Sequence, residues 1–322
     1  MLPGKDQLNV CFAHSAYRLA ERFAARGTGI AHFQVRTPED FAARLSEADV
    51  VVVSMLWRNE LLAAAKKLKF IQSISAGMDR YDADLIRAQG IRLASAAGVN
   101  ARAVAEHAMA LILALKRHLH TGRDNQSAKL WRGMISDIGA REDELGGKTL
   151  LIVGLGRIGA RLARLAKAFD MKVVATRRNP DRGADGADAV FGHDRLGEVL
   201  PQADIVALTL PLTRETENLI DAEALALMKP TAHLINVARG NVIDEAALIS
   251  ALQEGRIAAA ALDVTRVEPL VDDSALWAMR NVVITPHTAG ETQRYEDGVI
   301  DLLLANLERL WRGEANLVNQ VV

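Results

Sequence analysis

The sequence of 322 residues predicts an α/β protein with two doubly wound parallel-sheet domains. Short runs rich in Val and Ile alternate with helical stretches, and this alternation restarts near residue 100. The length also suits about two domains of roughly 150 residues each. Because strands that are joined by helices pair in parallel, we expect helices on both faces of each sheet.

The first hundred residues are expected to form one sheet of five strands. The predicted strands are 8–13, 32–36, 49–54, 70–75 and 91–95, and the predicted helices are 15–25, 38–48 and 59–67. Thr37 is a candidate N-cap of the second helix, and Pro38 after it is tolerated in a first turn.

The alternation resumes after a long helix at 101–118 and a less regular segment at 120–145. The predicted strands are 149–153, 172–176, 205–210, 233–237, 258–264 and 282–285, and the predicted helices are 158–169, 221–228 and 244–254. Asp244 is a candidate N-cap and Gly255 a candidate stop. A final helix at 291–312 is expected to pack on the first domain. Its apolar stripe consists of Val299, Ile300, Leu303, Leu304, Leu307 and Leu310.

Charge and cysteine content exclude several classes of protein. The 39 Lys and Arg nearly balance the 40 Asp and Glu, so no global attraction to nucleic acid or an acidic membrane is expected. The single cysteine, Cys11, excludes an intrachain disulfide and a cysteine-rich metal site, and it is expected to be a buried apolar residue. The longest apolar stretch, 108–115, is too short to span a bilayer. We therefore expect a cytoplasmic enzyme or binding protein without a bound metal.

Residues 149–159, TLLIVGLGRIG, place three glycines between a predicted strand and a predicted helix. Gly154 permits a tight turn, Gly156 lets a pyrophosphate approach the backbone, and Gly159 lets the helix pack on the strand. The N–H groups at the start of the helix then face the phosphates. Because the motif lies in a βαβ unit, it favours a dinucleotide site over a purely structural turn.

The end of the next strand indicates which dinucleotide binds. An acidic residue there is typical of NAD enzymes, but this strand ends in Thr176, Arg177 and Arg178. Hydroxyl and guanidinium groups suit a 2′-phosphate, so NADP(H) is favoured and NAD(H) stays open. The alternative is that the arginines simply face water.

Three chemically complementary residues follow three predicted strands: Arg239, Glu268 and His287. Ligands bind outside the carboxyl ends of parallel strands, so we expect these residues to meet there. Protonated His287 can donate to the oxygen of a 2-keto acid as hydride reaches its carbon, and Glu268 can orient the ring. Arg239 can bind the carboxylate of the substrate and polarise its carbonyl.

The residues and their surroundings resemble the D-isomer-specific 2-hydroxyacid dehydrogenase family over nearly the whole chain. The segments that carry the resemblance are LGGKTLLIVGLGRIG (145–159), LPLTRETENLI (210–220), MKPTAHLINVARGNVIDEAALISAL (228–252), ALDVTRVEP (261–269) and TPHTAGET (285–292). The family implies a Rossmann NAD(P)-binding domain and a smaller flavodoxin-like substrate domain. It also implies that Arg239, Glu268 and His287 are the catalytic residues.

The resemblance implies the following domain bounds and contacts. The substrate-binding domain would be 1–99 plus 290–322, and the cofactor domain 100–289, with a homodimer segment at 101–145. Asp263 would contact the nicotinamide carboxamide. Further cofactor contacts would come from Val104, Arg157, Ile158, Leu210, Pro211, Val237 and Ala238.

The resemblance assigns the substrate carboxylate to a loop after the fourth strand. That loop consists of Ser75, Ala76, Gly77 and Met78. A phosphite-oxidising branch would carry Lys in place of Ala76, so an organic substrate is expected. Trp57 is either a pocket residue or a core residue, and both interpretations stay open.

The most specific expectation is an NAD(P)-dependent D-2-hydroxyacid dehydrogenase that reduces glyoxylate or hydroxypyruvate. The alternative is a dinucleotide-sensing scaffold, similar to a corepressor, with little turnover. His107 is expected to be a structurally satisfied helix residue. An assay with NADPH and NADH against several 2-keto acids separates enzyme from scaffold.

Overall fold

The computed structural model describes residues 2–322, and its chain divides into two compact units. The first, which we call the split unit, combines the segment up to Asn100 with Thr292–Val322. The second, which we call the central unit, is Ala101–Glu291. Each unit contains its own parallel sheet, as the sequence predicts.

The split unit has five parallel strands in the order β2-β1-β3-β4-β5, which is a flavodoxin-like order. The strands are β1 (Asn9–Ala13), β2 (Ala31–Val35), β3 (Val50–Val53), β4 (Phe70–Ser73) and β5 (Arg92–Ala94). The helices are α1 (Leu19–Ala24), α2 (Pro38–Arg44), α3 (Ala83–Ala88) and α10 (Tyr295–Trp311). Thr37 caps α2 as predicted, because its Oγ1 accepts from the N–H of Asp40 at 3.1 Å.

Alternating burial explains why this sheet is central to its unit. All four valines of β3 are fully buried, and they point by turns to two apolar clusters on opposite faces. The cluster on one face includes Val299, Ile300, Leu303 and Leu307 of α10, so the predicted return of the last helix is confirmed. Cys11 is also buried, and burial raises the pKa of its thiol to about 12.

One prediction for the split unit is wrong, and another left two interpretations open. Residues 59–67 do not form an α-helix, because Asn59–Ala64 is a 3-10 helix. Trp57, offered as a pocket residue or a core residue, is a core residue with only 1% of its surface exposed. Its ring packs against Tyr81 at 5.9 Å between centroids, and its Nε1 donates to Oδ1 of Asn59 at 3.0 Å. These contacts give Trp57 a packing role.

The central unit has a parallel sheet in the order β12-β11-β10-β9-β6-β7-β8. The strands are β6 (Thr149–Val153), β7 (Lys172–Thr176), β8 (Ala189–Phe191), β9 (Ile205–Leu208), β10 (His233–Asn236), β11 (Ala259–Leu262) and β12 (Val282–Ile284). The helices are α4 (Ala101–Lys116), α5 (Leu119–Ser127), α6 (Arg157–Ala168), α7 (Leu196–Val199), α8 (Ala222–Leu227) and α9 (Glu245–Gln253). Strand order reverses between β6 and β9, which is the switch point where Rossmann-type sheets bind dinucleotides.

The sequence misses three elements of the central unit: β8, α5 and the four-residue helix α7. Strand β8 has only three half-buried residues at the edge of the sheet, so its apolar signal is weak. Helix α5 lies inside the segment that was expected to be irregular, and no residue of it is buried. A helix that is polar on all sides has no apolar period to reveal it. Among residues 2–322, no helix is both long and apolar enough to cross a membrane.

Candidate active site

Arg239, Glu268 and His287 follow three strands that are adjacent in the central sheet. Arg239 lies three residues after β10, Glu268 six residues after β11, and His287 three residues after β12. Since β10, β11 and β12 run parallel, the segments that carry the three residues leave the sheet at the same edge.

Glu268 and His287 form a direct pair. Oε2 of the carboxylate is 2.7 Å from Nδ1 of the imidazole. Oε1 accepts a weaker hydrogen bond, at 3.3 Å, from the N–H of Thr265. The imidazole side chain is 48% exposed and the carboxylate side chain 39% exposed, so the pair lies at the surface of the central unit. With Nδ1 bound to the carboxylate, Nε2 is the ring atom available to a ligand.

The segment of Arg239 touches the segment of Glu268 through glycine. A Cβ on Gly240 would lie 1.9 Å from the carbonyl oxygen of Thr265, so no side chain fits there. Nη1 of Arg239 donates to the carbonyl oxygen of Ala238 at 2.7 Å. The fully buried amide of Asn236 holds the same turn, donating to the carbonyl oxygen of Arg239 and accepting from the N–H of Ala238, each at 3.0 Å.

Asn236 was not singled out from the sequence. Its only signal is its place as the last residue of an apolar strand, directly before the predicted Arg239 turn. A polar side chain in the core at that point needs partners, and the turn supplies them. Asn236 thereby fixes the path of the backbone that carries Arg239.

Asp263 fixes the segment that carries His287. This aspartate is 2% exposed, and its Oδ1 accepts from the hydroxyl of Thr285 at 2.6 Å and from the N–H of Thr288 at 3.0 Å. Oδ2 accepts from the N–H of Ala289 at 3.1 Å. The resemblance places Asp263 on the nicotinamide; the observed contacts give it a structural role in the loop of His287 as well. Thr285 was not singled out from the sequence.

The glycine-rich turn is shaped for a phosphate ligand. Gly154 has φ +104°, and a Cβ there would lie 2.7 Å from Cβ of Leu210. A Cβ on Gly159 would lie 2.6 Å from the carbonyl oxygen of Gly154, which explains its close packing on the strand. At Gly156 nothing lies within 4 Å of an added Cβ, and no side chain caps α6 there. The open start of α6 therefore fits a pyrophosphate.

The other predicted cofactor residues divide by exposure. Val104, Leu210, Val237 and Ala238 are buried in the central unit, whereas Arg157 and Pro211 are exposed and Ile158 is half-buried. Val104 packs in the apolar cluster of α4 and α6, so its main observed role is packing. Leu210 lies against Gly154, and Val237 and Ala238 follow β10.

The end of β7 is arranged differently for each of its three predicted phosphate ligands. Thr176 is fully buried, and its Oγ1 is 3.0 Å from Nδ1 of His193. This contact gives Thr176 a role in holding that ring. Nη1 of Arg177 donates to Asp185 at 2.8 Å and to the carbonyl oxygen of Gly183 at 3.0 Å. Arg178 is exposed, so its guanidinium is the one most accessible to a ligand.

In the split unit, the predicted carboxylate loop follows β4. The side chains of Ser75 and Ser54 are hydrogen-bonded, and the hydroxyl of Ser73 accepts from the N–H of Ser75 at 3.0 Å. The N–H groups of residues 76–78 donate no backbone hydrogen bond within the part of the chain that the structure describes. Successive unbonded N–H groups suit an anion.

A parallel sheet with an open glycine turn at its switch point and a histidine–carboxylate pair at its carboxyl edge defines a dinucleotide-dependent oxidoreductase. Residues 109–289 match the family model described as D-isomer specific 2-hydroxyacid dehydrogenase, NAD binding domain. This chain belongs to that family, and it is therefore an NAD(P)-dependent oxidoreductase acting between 2-keto and 2-hydroxy acids.

Individual relatives agree with this membership. A glyoxylate reductase of Pyrococcus furiosus is 37% identical over 296 residues, which cover 88% of this chain and 86% of the relative. A solved family member from Aeromonas salmonicida is 31% identical, with a TM-score of 0.85 and coverage of 98% and 99%. An NADPH-dependent glyoxylate/hydroxypyruvate reductase of Sinorhizobium meliloti, solved with NADP and malonate, is 27% identical, with a TM-score of 0.82 and coverage of 98% and 97%.

Proposed function

We propose that this dehydrogenase reduces a small 2-keto acid, glyoxylate or hydroxypyruvate, with NADPH as the preferred cofactor. The observation that carries the proposal is the 2.7 Å pair of Glu268 and His287 on segments adjacent to that of Arg239. The names of the relatives from P. furiosus and S. meliloti support glyoxylate and hydroxypyruvate as substrates.

His287 is assigned the proton transfer. A reduced nicotinamide, when bound at the turn of Gly154, Gly156 and Gly159, would supply a hydride to the carbonyl carbon. Protonated His287 donates the Nε2 proton to the carbonyl oxygen, so the products are a 2-hydroxy acid and a neutral imidazole. Glu268 holds Nδ1–H, which orients the ring and stabilises its positive charge before the transfer.

Arg239 is assigned to the substrate carboxylate and keto oxygen. Its planar guanidinium carries five N–H donors, and Nη1 donates to the carbonyl oxygen of Ala238. A guanidinium binds a carboxylate through two parallel hydrogen bonds, and it stabilises negative charge that develops on the oxygen. Within the split unit, the N–H groups of Ala76, Gly77 and Met78 are proposed as donors to an anion.

The preference for NADPH is supported by the end of β7. No carboxylate follows Thr176 directly, and the next two residues are arginines. Asp185 pairs with Arg177 and thereby fixes the loop, so we assign the 2′-phosphate chiefly to the exposed Arg178. Arginine binds phosphate oxygens with charge-assisted hydrogen bonds, whereas the 2′-hydroxyl of NADH gives it no anion.

A homodimer is part of the proposal. The segment after α5 exposes large apolar side chains, with Trp131 97%, Met134 100% and Ile138 79% exposed. We assign their cover to a second copy of this chain, because the family expectation places the dimer contact within 101–145. Light scattering on a sizing column is expected to give twice the chain mass of 34.9 kDa. Trp131→Ser with Met134→Ser is expected to reduce that mass toward the monomer.

The deciding experiment is a spectrophotometric assay of NADPH and NADH oxidation at neutral pH with glyoxylate, hydroxypyruvate, pyruvate and a bulkier 2-keto acid. The highest kcat/KM is expected with NADPH and one of the first two acids. Turnover only with the bulkier acid would contradict the substrate assignment. Cofactor binding without turnover of any acid would instead indicate the scaffold.

A further inference from the structure

Asp263 holds the loop of His287 with its main chain as well as its side chain. Its carbonyl oxygen accepts from the N–H of His287 at 2.8 Å. Its carboxylate accepts from the next two N–H groups, those of Thr288 and Ala289, at 3.0 and 3.1 Å. Three consecutive residues of the loop are therefore bound to one buried aspartate.

This anchoring is needed because His287 has an uncommon backbone conformation. Its φ is +54°, in the left-handed region that costs a side chain of this size about 1 kcal/mol or more. Such a conformation persists only where surrounding contacts determine it fully. A shift of the carboxylate of Asp263 would therefore release the loop and move the imidazole.

A relay of two further side chains fixes that carboxylate. The hydroxyl of Thr285 donates to Oδ1 of Asp263 at 2.6 Å, and Nε2 of His107 is 2.9 Å from the oxygen of the same hydroxyl. A hydroxyl has one proton, which here goes to the carboxylate, so His107 must be the donor to Thr285. This assigns the Nε2–H form to the ring of His107, which is 24% exposed and lies on α4.

We propose that His107 and Thr285 are positioning residues for the reduction of the 2-keto acid, acting through Asp263 on the orientation of His287. This inference rests on the proposed function, since it concerns the proton donor of that reaction. The relay joins α4 to the loop after β12, two elements that are distant in sequence. Loss of the Thr285 hydroxyl removes a hydrogen bond from the carboxylate of Asp263. Loss of His107 leaves that hydroxyl without its donor and removes an imidazole that lies 3.5 Å from Oδ1 of Asp263. Either change leaves the loop of His287 less constrained.

Four variants of the full-length protein test the proposal with NADPH and the best keto acid. Thr285→Val and His107→Leu remove the donors, whereas Thr285→Ser and His107→Gln keep an O–H or N–H at a similar distance from the backbone. Removal is expected to lower kcat by about tenfold to a hundredfold, because small displacements of a catalytic group are costly. The KM for the keto acid is expected to change by less than about threefold, because its proposed ligand Arg239 is not altered.

The isotope effect on hydride transfer separates positioning from a general loss of structure. With NADPH deuterated at the transferred position, the effect on kcat is expected to rise in the removal variants, since the chemical step becomes more rate-limiting. Thr285→Ser and His107→Gln are expected to recover at least half of the lost activity. Thr231→Val is the matched control for Thr285→Val, because Thr231 is exposed and precedes β10.

Wild-type kcat in folded Thr285→Val or His107→Leu protein would overturn the inference, as would an increase in KM alone. Equal losses in the conservative and the removal variants would also overturn it. If Thr285→Val does not fold, the inference is tested with His107→Leu and His107→Gln, because His107 is partly exposed. Absence of turnover by the wild type with every keto acid contradicts the proposed function, and the inference then falls with it.

Discussion

Nδ1 of His287 and Oε2 of Glu268 are 2.7 Å apart, although 19 residues separate them along the chain. The two residues meet because β11 and β12 are parallel neighbours, so the segments that follow them leave the same edge of the sheet. A carboxylate on Nδ1 fixes the tautomer and orientation of an imidazole and directs Nε2 outward. The same spatial relationship underlies the role of histidine–carboxylate pairs in unrelated enzymes.

The first prediction concerns the imidazole itself. His287→Ala is expected to lower kcat with glyoxylate by about a hundredfold to ten-thousandfold, which is the usual contribution of a general acid. The Kd for NADPH, measured by fluorescence titration, is expected to stay within about twofold, because the phosphate-binding turn is untouched. His120→Ala is the control, since that ring binds the carbonyl oxygen of Ala114 in another part of the central unit. A fully active His287→Ala protein would remove His287 from the mechanism.

The strands around the site could be predicted because their sequence signals are local. Strands β6 and β7 have the predicted bounds, 149–153 and 172–176, since each is a short apolar run that ends at a change of composition. The caps at Thr37 and Asp244 are confirmed as well, because a capping side chain binds N–H groups two or three residues away. Strand β8 and helix α5 lack any such local signal.

The contacts that hold the site together could not be read from the sequence. Asn236 and Thr285 are single polar residues near strand ends, and their partners depend on the register of adjacent strands. Gly240 and Thr265 likewise lie close together because the segments after β10 and β11 pack against each other, and no spacing in the sequence reveals this contact. His107 was expected to be structurally satisfied, but its partner Thr285 is 178 residues away. Long-range register therefore limits what sequence patterns can show.

The second prediction contrasts two glycines of the phosphate-binding turn. Gly159→Ala is expected to lower the Tm, because the added Cβ would lie 2.6 Å from the carbonyl oxygen of Gly154. A cost of about 1–3 kcal/mol for such overpacking is equivalent to roughly 2–12 °C in a unit of this size. Gly156→Ala meets nothing within 4 Å and is expected to keep the wild-type Tm. It is expected to weaken dinucleotide binding by about tenfold or more, since the backbone there approaches the pyrophosphate.

These two variants should be measured side by side by thermal unfolding without cofactor and by titration with NADPH. A Gly156→Ala protein with unaltered affinity would contradict the assignment of the pyrophosphate to the start of α6. A Gly159→Ala protein with unaltered Tm would show that the turn shifts at little cost.

The third prediction concerns the arginines after β7. Replacing Arg177 and Arg178 together with Ala is expected to weaken NADPH more than NADH, by about tenfold in the ratio of their Kd values, because charge-assisted hydrogen bonds to a phosphate are lost. Arg178→Ala alone is expected to give most of the effect, since Arg177 is already paired with Asp185. Arg280→Ala is the control for a lost surface charge, because Arg280 is exposed and precedes β12. Equal weakening of both cofactors would refute the 2′-phosphate assignment.

The fourth prediction is a loss of stability in mild acid, caused by His233 at the start of β10. His233 is 9% exposed, and its Nδ1 has no hydrogen-bond partner among residues 2–322. Burial, and after it the charge of Lys116, lower the pKa of His233 to about 3. The unfolded chain binds this proton near the ordinary histidine pKa of about 6.5, well above the folded value. The stability from neutral His233 is therefore fully present above about pH 6.5 and is lost as the pH falls toward 3.

At pH 5, roughly 1.5 units below the histidine pKa of the unfolded chain, this loss amounts to about 2 kcal/mol, because only the unfolded chain binds the proton there. His233→Leu removes the titrating group and the unpaired nitrogen. Between pH 7 and pH 5 the Tm of this variant is expected to fall by about 4–8 °C less than the Tm of the wild type. Some acid sensitivity is expected to persist in the variant, because burial also lowers the pKa of His14. His32→Leu is the matched control, because His32 lies on β2 of the split unit, and it should retain the wild-type loss. If His233→Leu and the wild type lost the same Tm over this range, the acid sensitivity would have to come from other groups.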